Sequence, residues 1–109
     1  MEAESQYFAR AKEAFTRIEA AFDQIDVDVV DCERTTSDVI TMLFLNGVKC
    51  VVNTQRPTQQ IWVASNAQAW HFAWDESASK WLDPRREGSE LFDTLTRIVV
   101  TNASLELEF

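Results

Sequence analysis

The spacing of apolar residues changes twice along this chain, and these changes constrain the fold more than any other feature. From Gln6 to Ile25 the apolar residues recur at intervals of three and four, which places them on one face of an α-helix because a helical turn holds about 3.6 residues. After Asp26 the interval falls to two, as in β-strands. After Gly88 the helical spacing returns. The predicted order is therefore a helix, a series of strands and a second helix.

Short connections separate the predicted strands. Asn46-Gly47 is a strong hairpin signal because both residues tolerate positive φ, and Pro57 marks the connection after the third strand. Ser5 and Ser89 are the predicted N-caps of the two helices. The predicted strands span residues 27–33, 39–45, 48–53, 60–65, 69–74 and, more briefly, 80–82.

Strands joined by short turns pair as antiparallel neighbours, and helices at the two ends of such a chain pack on one face of the sheet. We therefore expect an α+β fold, a two-layer α/β sandwich with two helices packed on one face of a five- to six-stranded antiparallel sheet. The length of 109 residues fits a single domain spanning 1–109.

The charge of the chain is negative and unevenly distributed. The formal net charge is −8, and residues 1–38 carry ten Asp or Glu against four Lys or Arg. Such a surface repels nucleic acid and anionic membranes and favours cations or a basic protein partner. Because the sequence shows no apolar run long enough to span a bilayer and no signal-peptide pattern, we expect a cytoplasmic protein.

Six carboxylates fall within fifteen residues around the predicted helix-to-strand junction, and no Lys or Arg separates them. The acidic ridge, as we name this set, comprises Glu19, Asp23, Asp26, Asp28, Asp31 and Glu33. The first three are spaced by four and three, which predicts a line along one side of the helix, and the last three are predicted on the first strand. Hard cations take oxygen ligands and relieve repulsion between like charges. The pattern favours a shallow, weak and poorly selective metal site.

Two other interpretations of the acidic ridge stay open. A charged helix face commonly serves solubility alone, although such faces usually mix both signs. The same carboxylates also suit docking on a basic protein surface, in which case association would be sensitive to salt.

The stretch from Asn53 to Ala64 holds the second candidate site. If Ile61 and Val63 point into the core, Trp62 points to the opposite face of the sheet, where an exposed Trp often anchors an interface. Long neighbouring side chains covering Trp62 would be the structural alternative.

His71 is the single histidine, and its position predicts the same exposed sheet face as Trp62. An ordinary surface histidine is the simplest interpretation, and a nitrogen ligand to iron or haem is the alternative. The two cysteines, Cys32 and Cys50, lie in apolar strand-like runs outside any metal-binding spacing, which favours small core residues.

Several motifs resemble the bacterial frataxin (CyaY) family over nearly the whole chain. The most specific is the stretch Asn53-x-Gln55-x-Pro57-x-x-Gln60-Ile61-Trp62-Val63-Ala64. The other matching segments, in order, are Ile18-Glu19, Asp31-Cys32-Glu33, Asn46-Gly47, Trp70-His71-Phe72, Trp81 and Gly88-Ser89.

The resemblance implies two helices on an antiparallel sheet, and iron binding on the acidic ridge. It also implies contact with a cysteine desulfurase and with the iron–sulfur scaffold protein through the sheet face, where Asn53, Gln55, Gln60 and Trp62 are the candidate partner-binding residues. The ridge is less dense than in the most acidic frataxins, because Gln24, Val27, Val29 and Val30 interrupt it. This departure argues against a high iron stoichiometry more than against docking.

The resulting hypothesis is a non-enzymatic, iron-binding accessory or regulatory protein of iron–sulfur cluster assembly, monomeric when free of metal. The pattern shows no nucleophilic triad, phosphate loop or zinc-protease motif. Two alternatives are an iron-oxidising or iron-storage protein and a pure protein-docking module.

Overall fold

The computed structural model describes residues 2–109, and Met1, which the predicted domain includes, lies outside the described residues. In chain order the elements are α1 (Glu2–Phe22), β1 (Val30–Thr36), β2 (Val39–Phe44), β3 (Lys49–Gln55), β4 (Gln60–Ser65), β5 (Gln68–Asp75), β6 (Lys80–Asp83), β7 (Ser89–Glu90) and α2 (Leu91–Ala103). Single 3-10 turns span Arg56–Thr58 and Pro84–Arg86.

The seven strands form one antiparallel sheet whose spatial order equals the chain order. The predicted α+β fold is therefore confirmed. The strand count differs from the expected five or six because the two-residue β7 pairs with β6, Leu82 opposite Glu90. A strand this short carries no periodic signal in the sequence.

The core lies between the two helices and one face of the sheet. Ala11, Phe15 and Ile18 of α1 are at most 3% exposed, and Ile40 and Val52 of the sheet are fully buried. Burying a large aliphatic or aromatic side chain stabilises the fold by about 1.5–3 kcal/mol. The predicted apolar stripe of α1 is thus confirmed, apart from Phe8, which is exposed, and Ile25, which lies beyond the end of the helix.

Both predicted helix caps are wrong. Ser5 lies inside α1, which begins at Glu2, and Ser89 belongs to β7. The N-cap of α2 is Glu90, whose carboxylate accepts hydrogen bonds from the backbone N–H groups of Phe92 and Asp93. A Glu can perform this role because its longer side chain folds back on its own helix, and its charge suits the positive end of the helix dipole.

The β2–β3 hairpin occurs where Asn46-Gly47 predicts it, with a different turn. Only Gly47 of that pair has a positive φ, +87°, and the backbone N–H of Gly47 donates to the carbonyl of Phe44. The connection between the two strands therefore has four residues, 45–48, and contains a left-handed glycine.

The segment after α2 has no regular secondary structure but packs on the core through Leu105, Leu107 and Phe109. Arg17 of α1 donates two hydrogen bonds to the carbonyl oxygen of Phe109, at 3.1 and 3.0 Å.

Within residues 2–109, neither helix has the length and apolar composition that a membrane span requires.

Candidate functional site

The middle of the acidic ridge lies in the connection between α1 and β1, and not on the helix or the strand as predicted. Glu19 lies in the last turn of α1, and Asp31 and Glu33 lie on β1. The predicted line of three carboxylates along the helix is wrong in this respect, because α1 ends at Phe22 and leaves Asp23 and Asp26 beyond it. Asp28 was predicted on the strand and also lies in the connection.

Asp26 shapes that connection. Its carboxylate accepts a hydrogen bond of 2.9 Å from the backbone N–H of Asp28, and its carbonyl accepts from the backbone N–H groups of Val29 and Val30. Asp side chains stabilise turns in this way. The turn delays the start of β1 until Val30, which is why the strand begins three residues later than predicted.

One end of the ridge is partly neutralised, which the absence of intervening basic residues had not suggested. A guanidinium nitrogen of Arg34 lies 3.5 Å from a carboxylate oxygen of Glu19, and the Arg34 guanidinium also lies over the ring of Phe15. Within residues 2–109, the other five ridge carboxylates take part in no ion pair, and all five are exposed.

The ridge is an open row of ligands and not a closed cage. Within residues 2–109, no three His, Cys, Asp or Glu side chains come close enough together to hold a metal ion. Iron binding on the ridge therefore stays a prediction. An ion bound there would share its coordination with water and bind weakly.

The sheet-face residues do come together. Asn53, Trp62 and His71 lie directly opposite one another on β3, β4 and β5. The indole of Trp62 stacks on the imidazole of His71, with ring centroids 4.0 Å apart and planes 10° from parallel. Its N–H donates a 2.8 Å hydrogen bond to the side-chain oxygen of Gln60, and Gln60 lies opposite Gln55.

Trp62 is partly exposed, as an interface anchor would be, and partly covered by a neighbouring side chain. It faces away from the helices, since its neighbours Ile61 and Val63 are buried, yet it is half-buried itself. His71 covers one face of the indole. The result is a rigid aromatic platform with little freedom left to lose on binding a partner.

Strand register also connects the ridge with the sheet-face residues. Side chains alternate between the two faces of a strand, and Glu33 lies opposite Thr41, which lies opposite Val51. Val51 is two residues from Asn53 on β3, so Glu33 and Asn53 share the face that points away from the helices. The β1 part of the acidic ridge and the Trp62–His71 stack are thus on one continuous surface.

His71 is held by a residue that sequence reasoning missed. Its backbone N–H lies beyond the last paired residues of β5 and β6 and donates to the buried carboxylate of Asp83, at 2.9 Å. Partial burial, followed by the positive charge of Arg85, lowers the pKa of His71, against an opposing effect of Asp83. The imidazole is therefore neutral near pH 7, the form that can ligate a metal.

The cysteines belong to the core, as predicted. Cys32 on β1 and Cys50 on β3 both lie opposite Met42 on the strand between them. Burial raises the pKa of each thiol to about 12, with smaller contributions from Glu19 and Asp31 at Cys32 and from the neighbouring Cys32 at Cys50. Both remain protonated at physiological pH, which argues against metal ligation and against nucleophilic chemistry.

The sequence is similar to one known protein family and to several of its members. The family model for the frataxin-like domain matches residues 2–104. The iron-sulfur cluster assembly protein CyaY of Tolumonas auensis is 40% identical over 93 residues, which cover 85% of each chain. The protein of the same name from Variovorax paradoxus is 35% identical over 109 residues, covering 97% of this chain and 96% of that one.

A solved structure agrees at the level of the fold. The frataxin from Psychromonas ingrahamii, a member of the CyaY protein family, superposes with a TM-score of 0.84 and 24% sequence identity, covering 96% of this chain and 95% of that one. Together with the family model and the CyaY relatives, this likeness confirms the resemblance seen in the motifs. The chain belongs to the frataxin-like family.

Proposed function

We propose that this chain is an accessory protein of iron–sulfur cluster assembly, the role that its CyaY relatives carry in their names. The family membership supports the general role. The exposed acidic ridge and the aromatic sheet face support two finer parts of the proposal, which are weak iron binding and docking on the assembly machinery.

Iron is the cargo of the ridge in this proposal. Asp23, Asp26 and Asp28 are exposed in the α1–β1 connection and supply oxygen ligands only, which suits hard cations. The open arrangement implies weak binding, and weak binding allows iron to be passed on. The ion pair between Glu19 and Arg34 makes Glu19 the poorest ligand of the six.

Docking is the second part of the proposal, and the shared sheet face carries it. Because Glu33 of the ridge and the stacked pair Trp62–His71 face the same side, two partners can bind side by side on this face. We propose a cysteine desulfurase with a basic groove as the partner of the ridge, and the scaffold protein as the partner of the aromatic platform. Charge steers such an encounter, and a packed aromatic residue anchors it.

The test is a charge-neutralising triple variant, Asp23→Asn, Asp26→Asn and Asp31→Asn. We expect Fe²⁺ affinity, measured anaerobically by calorimetry, and desulfurase affinity both to fall by about tenfold or more, because charged contacts contribute roughly 1.5–3 kcal/mol each. The matched control neutralises Glu87, Glu106 and Glu108, three exposed carboxylates outside the ridge, to Gln. Equal losses in the two variants would contradict a local site.

A pure docking module is the second candidate, and the lack of a converging ligand set within residues 2–109 favours it. The same experiment separates the two proposals. If the triple variant loses desulfurase affinity while the unmodified protein shows no heat of Fe²⁺ binding, docking alone is correct.

Haem binding through His71 stays a prediction. The neutral imidazole fits a ligand role, because its unprotonated ring nitrogen carries a free lone pair. The stacking contact covers one face of the ring and leaves its edge, where the nitrogen lone pair lies, clear of the indole.

A further inference from the structure

A groove lies on the helix side of the sheet, between the β4–β5 turn and α2. The groove has a volume of about 310 Å³. Its lining comprises Ser65, Asn66, Gln68, Trp70, Arg86, Thr94, Arg97, Ile98, Thr101 and Asn102. No Asp or Glu of residues 2–109 contributes to it, although the chain carries a net charge of −8. We name this surface the α2 groove.

The arginines of the α2 groove differ from the others in the chain. Five of the seven arginines form an ion pair with a carboxylate. Within residues 2–109, Arg86 and Arg97 form none, and both line this groove. Two unpaired guanidinium groups in a strongly acidic protein create a local positive potential that attracts anions.

Arg86 is positioned by an aromatic contact rather than by a carboxylate. Its guanidinium lies over the ring of Trp70, 4.6 Å from the centroid. Stacking of this kind restrains the planar group while its N–H donors stay free at the edge. A guanidinium held in this way is prepared for two parallel hydrogen bonds to a phosphate or carboxylate.

Two nearly buried hydroxyl groups point to the same conclusion. Ser65 ends β4 and is 6% exposed, and Thr94 lies in the first turn of α2 and is 5% exposed. Neither side chain forms a hydrogen bond with any other part of residues 2–109, and both line the groove. Among residues 2–109, the buried side-chain polar atoms without a partner are the indole nitrogens of Trp74 and Trp81. The hydroxyl oxygens of Ser65 and Thr94 are not in that set, so they are open to the groove and available to a ligand.

The far rim of the groove is rigid. Asn102 donates to the carbonyl of Ile98 at 2.8 Å and accepts a 2.9 Å hydrogen bond from Asn46 in the β2–β3 turn. The end of α2 is thereby tied to the sheet. A helix end held in this way lowers the entropic cost of binding in the groove that it borders.

We infer that the α2 groove binds a small molecule through a phosphate or carboxylate group. Arg86 and Arg97 supply the charge, and Ser65 and Thr94 supply hydroxyl donors at the base. This site lies on the opposite side of the sheet from the Trp62–His71 stack and is independent of the proposed function.

The test uses two probes, inorganic phosphate and citrate, each titrated into the ¹⁵N-labelled protein and followed by NMR. We expect saturable shifts at the amides of Asn66, Thr94 and Arg97. The variant Arg86→Gln/Arg97→Gln should bind the preferred probe at least about tenfold more weakly, because it loses both charge-assisted contacts. The ratio of the two affinities identifies phosphate or carboxylate as the preferred group.

Two controls make the result specific. Arg56→Gln removes the same charge from an arginine that pairs with Asp38 away from the groove, and it should leave the affinity unchanged. Thr94→Val keeps the buried shape and removes the hydroxyl, and it should weaken binding several-fold. The inference is overturned if neither probe saturates, or if Arg56→Gln weakens binding as much as the double variant does.

Discussion

Asp83 shows how one buried carboxylate organises the sheet-face site. Its two oxygens accept hydrogen bonds from the backbone N–H groups of His71 and Arg85, both at 2.9 Å. Burial raises the pKa of Asp83, but these two bonds and the side chain of Arg85 outweigh that effect and leave the pKa below its usual value. The charged carboxylate replaces the missing strand partner of His71 and so fixes the ring that stacks on Trp62.

His71 provides a prediction about pH. Because burial and then Arg85 lower its pKa below the ordinary value of 6.5, its imidazole should titrate below that value in an NMR titration. In the variant Arg85→Gln the midpoint should move upward. A midpoint at or above 6.5 in the unmodified protein would contradict the environment described.

The same shift predicts how stability depends on pH. The unfolded chain takes up a proton on His71 near pH 6.5, whereas the folded protein resists it until a lower pH. The contribution of neutral His71 to the free energy of unfolding is therefore complete above the pKa of the unfolded chain. It is lost as pH falls from that value to the lower pKa of the folded protein. When the pH is lowered from about 7 to about 5.5, the free energy of unfolding measured in urea should fall less for His71→Gln than for the unmodified protein.

The β4–β5 turn shows a local conflict between sequence and conformation. Its two residues, Asn66 and Ala67, both have positive φ, at 49° and 66°. Asn tolerates this conformation, but Ala is strained because its Cβ approaches the following carbonyl oxygen. The turn also escapes sequence-based prediction, since Asn-Ala lacks the glycine that marks such hairpins.

Replacing Ala67 with Gly should therefore stabilise the protein by about 0.5–1 kcal/mol, since glycine adopts positive φ without this penalty. The matched control is Ala69→Gly in β5, which should destabilise by a similar amount because it loosens a strand interior. Urea unfolding monitored by tryptophan fluorescence gives both values. A loss of stability in Ala67→Gly would show that the turn is not strained.

The helices and strands were predictable where hydrophobic spacing alone decides them. β4 was predicted with both ends correct, because β-branched and aromatic residues lie between the polar ends Gln60 and Ser65, and Pro57 precedes them. The end of α1 was not, since the turn around Asp26 depends on side-chain hydrogen bonds. The N-cap at Glu90 was missed for the same reason.

The candidate site was predictable only in part. Alternation along single strands predicted that Trp62 and His71 share a face, but the stacking contact depends on the register of β4 against β5. The pairing of Arg34 with Glu19 brings β1 against α1, and no local pattern in the sequence indicates it. The α2 groove gathers residues from two strands, a 3-10 turn and a helix, and was therefore invisible to sequence spacing.

Across residues 2–109, the unpaired carboxylates of the acidic ridge and the unpaired arginines of the α2 groove lie on separate surfaces. The β1 part of the acidic ridge and the aromatic platform share the exposed sheet face, whereas Arg86 and Arg97 lie in the α2 groove on the helix side. This separation allows a basic partner and a small anion to bind at the same time. It also explains why net charge alone, at −8, did not indicate an anion site.

The most direct test of the proposed iron site is an anaerobic Fe²⁺ titration of the ¹⁵N-labelled protein followed by NMR. Paramagnetic iron broadens the signals of nearby amides, so the broadened set maps the site without any variant. We predict that the amides of residues 19–33 broaden first, led by those of Asp23, Asp26 and Asp28, while amides of the α2 groove stay sharp. Broadening that begins elsewhere, or none at stoichiometric iron, would contradict the proposal that the acidic ridge binds iron.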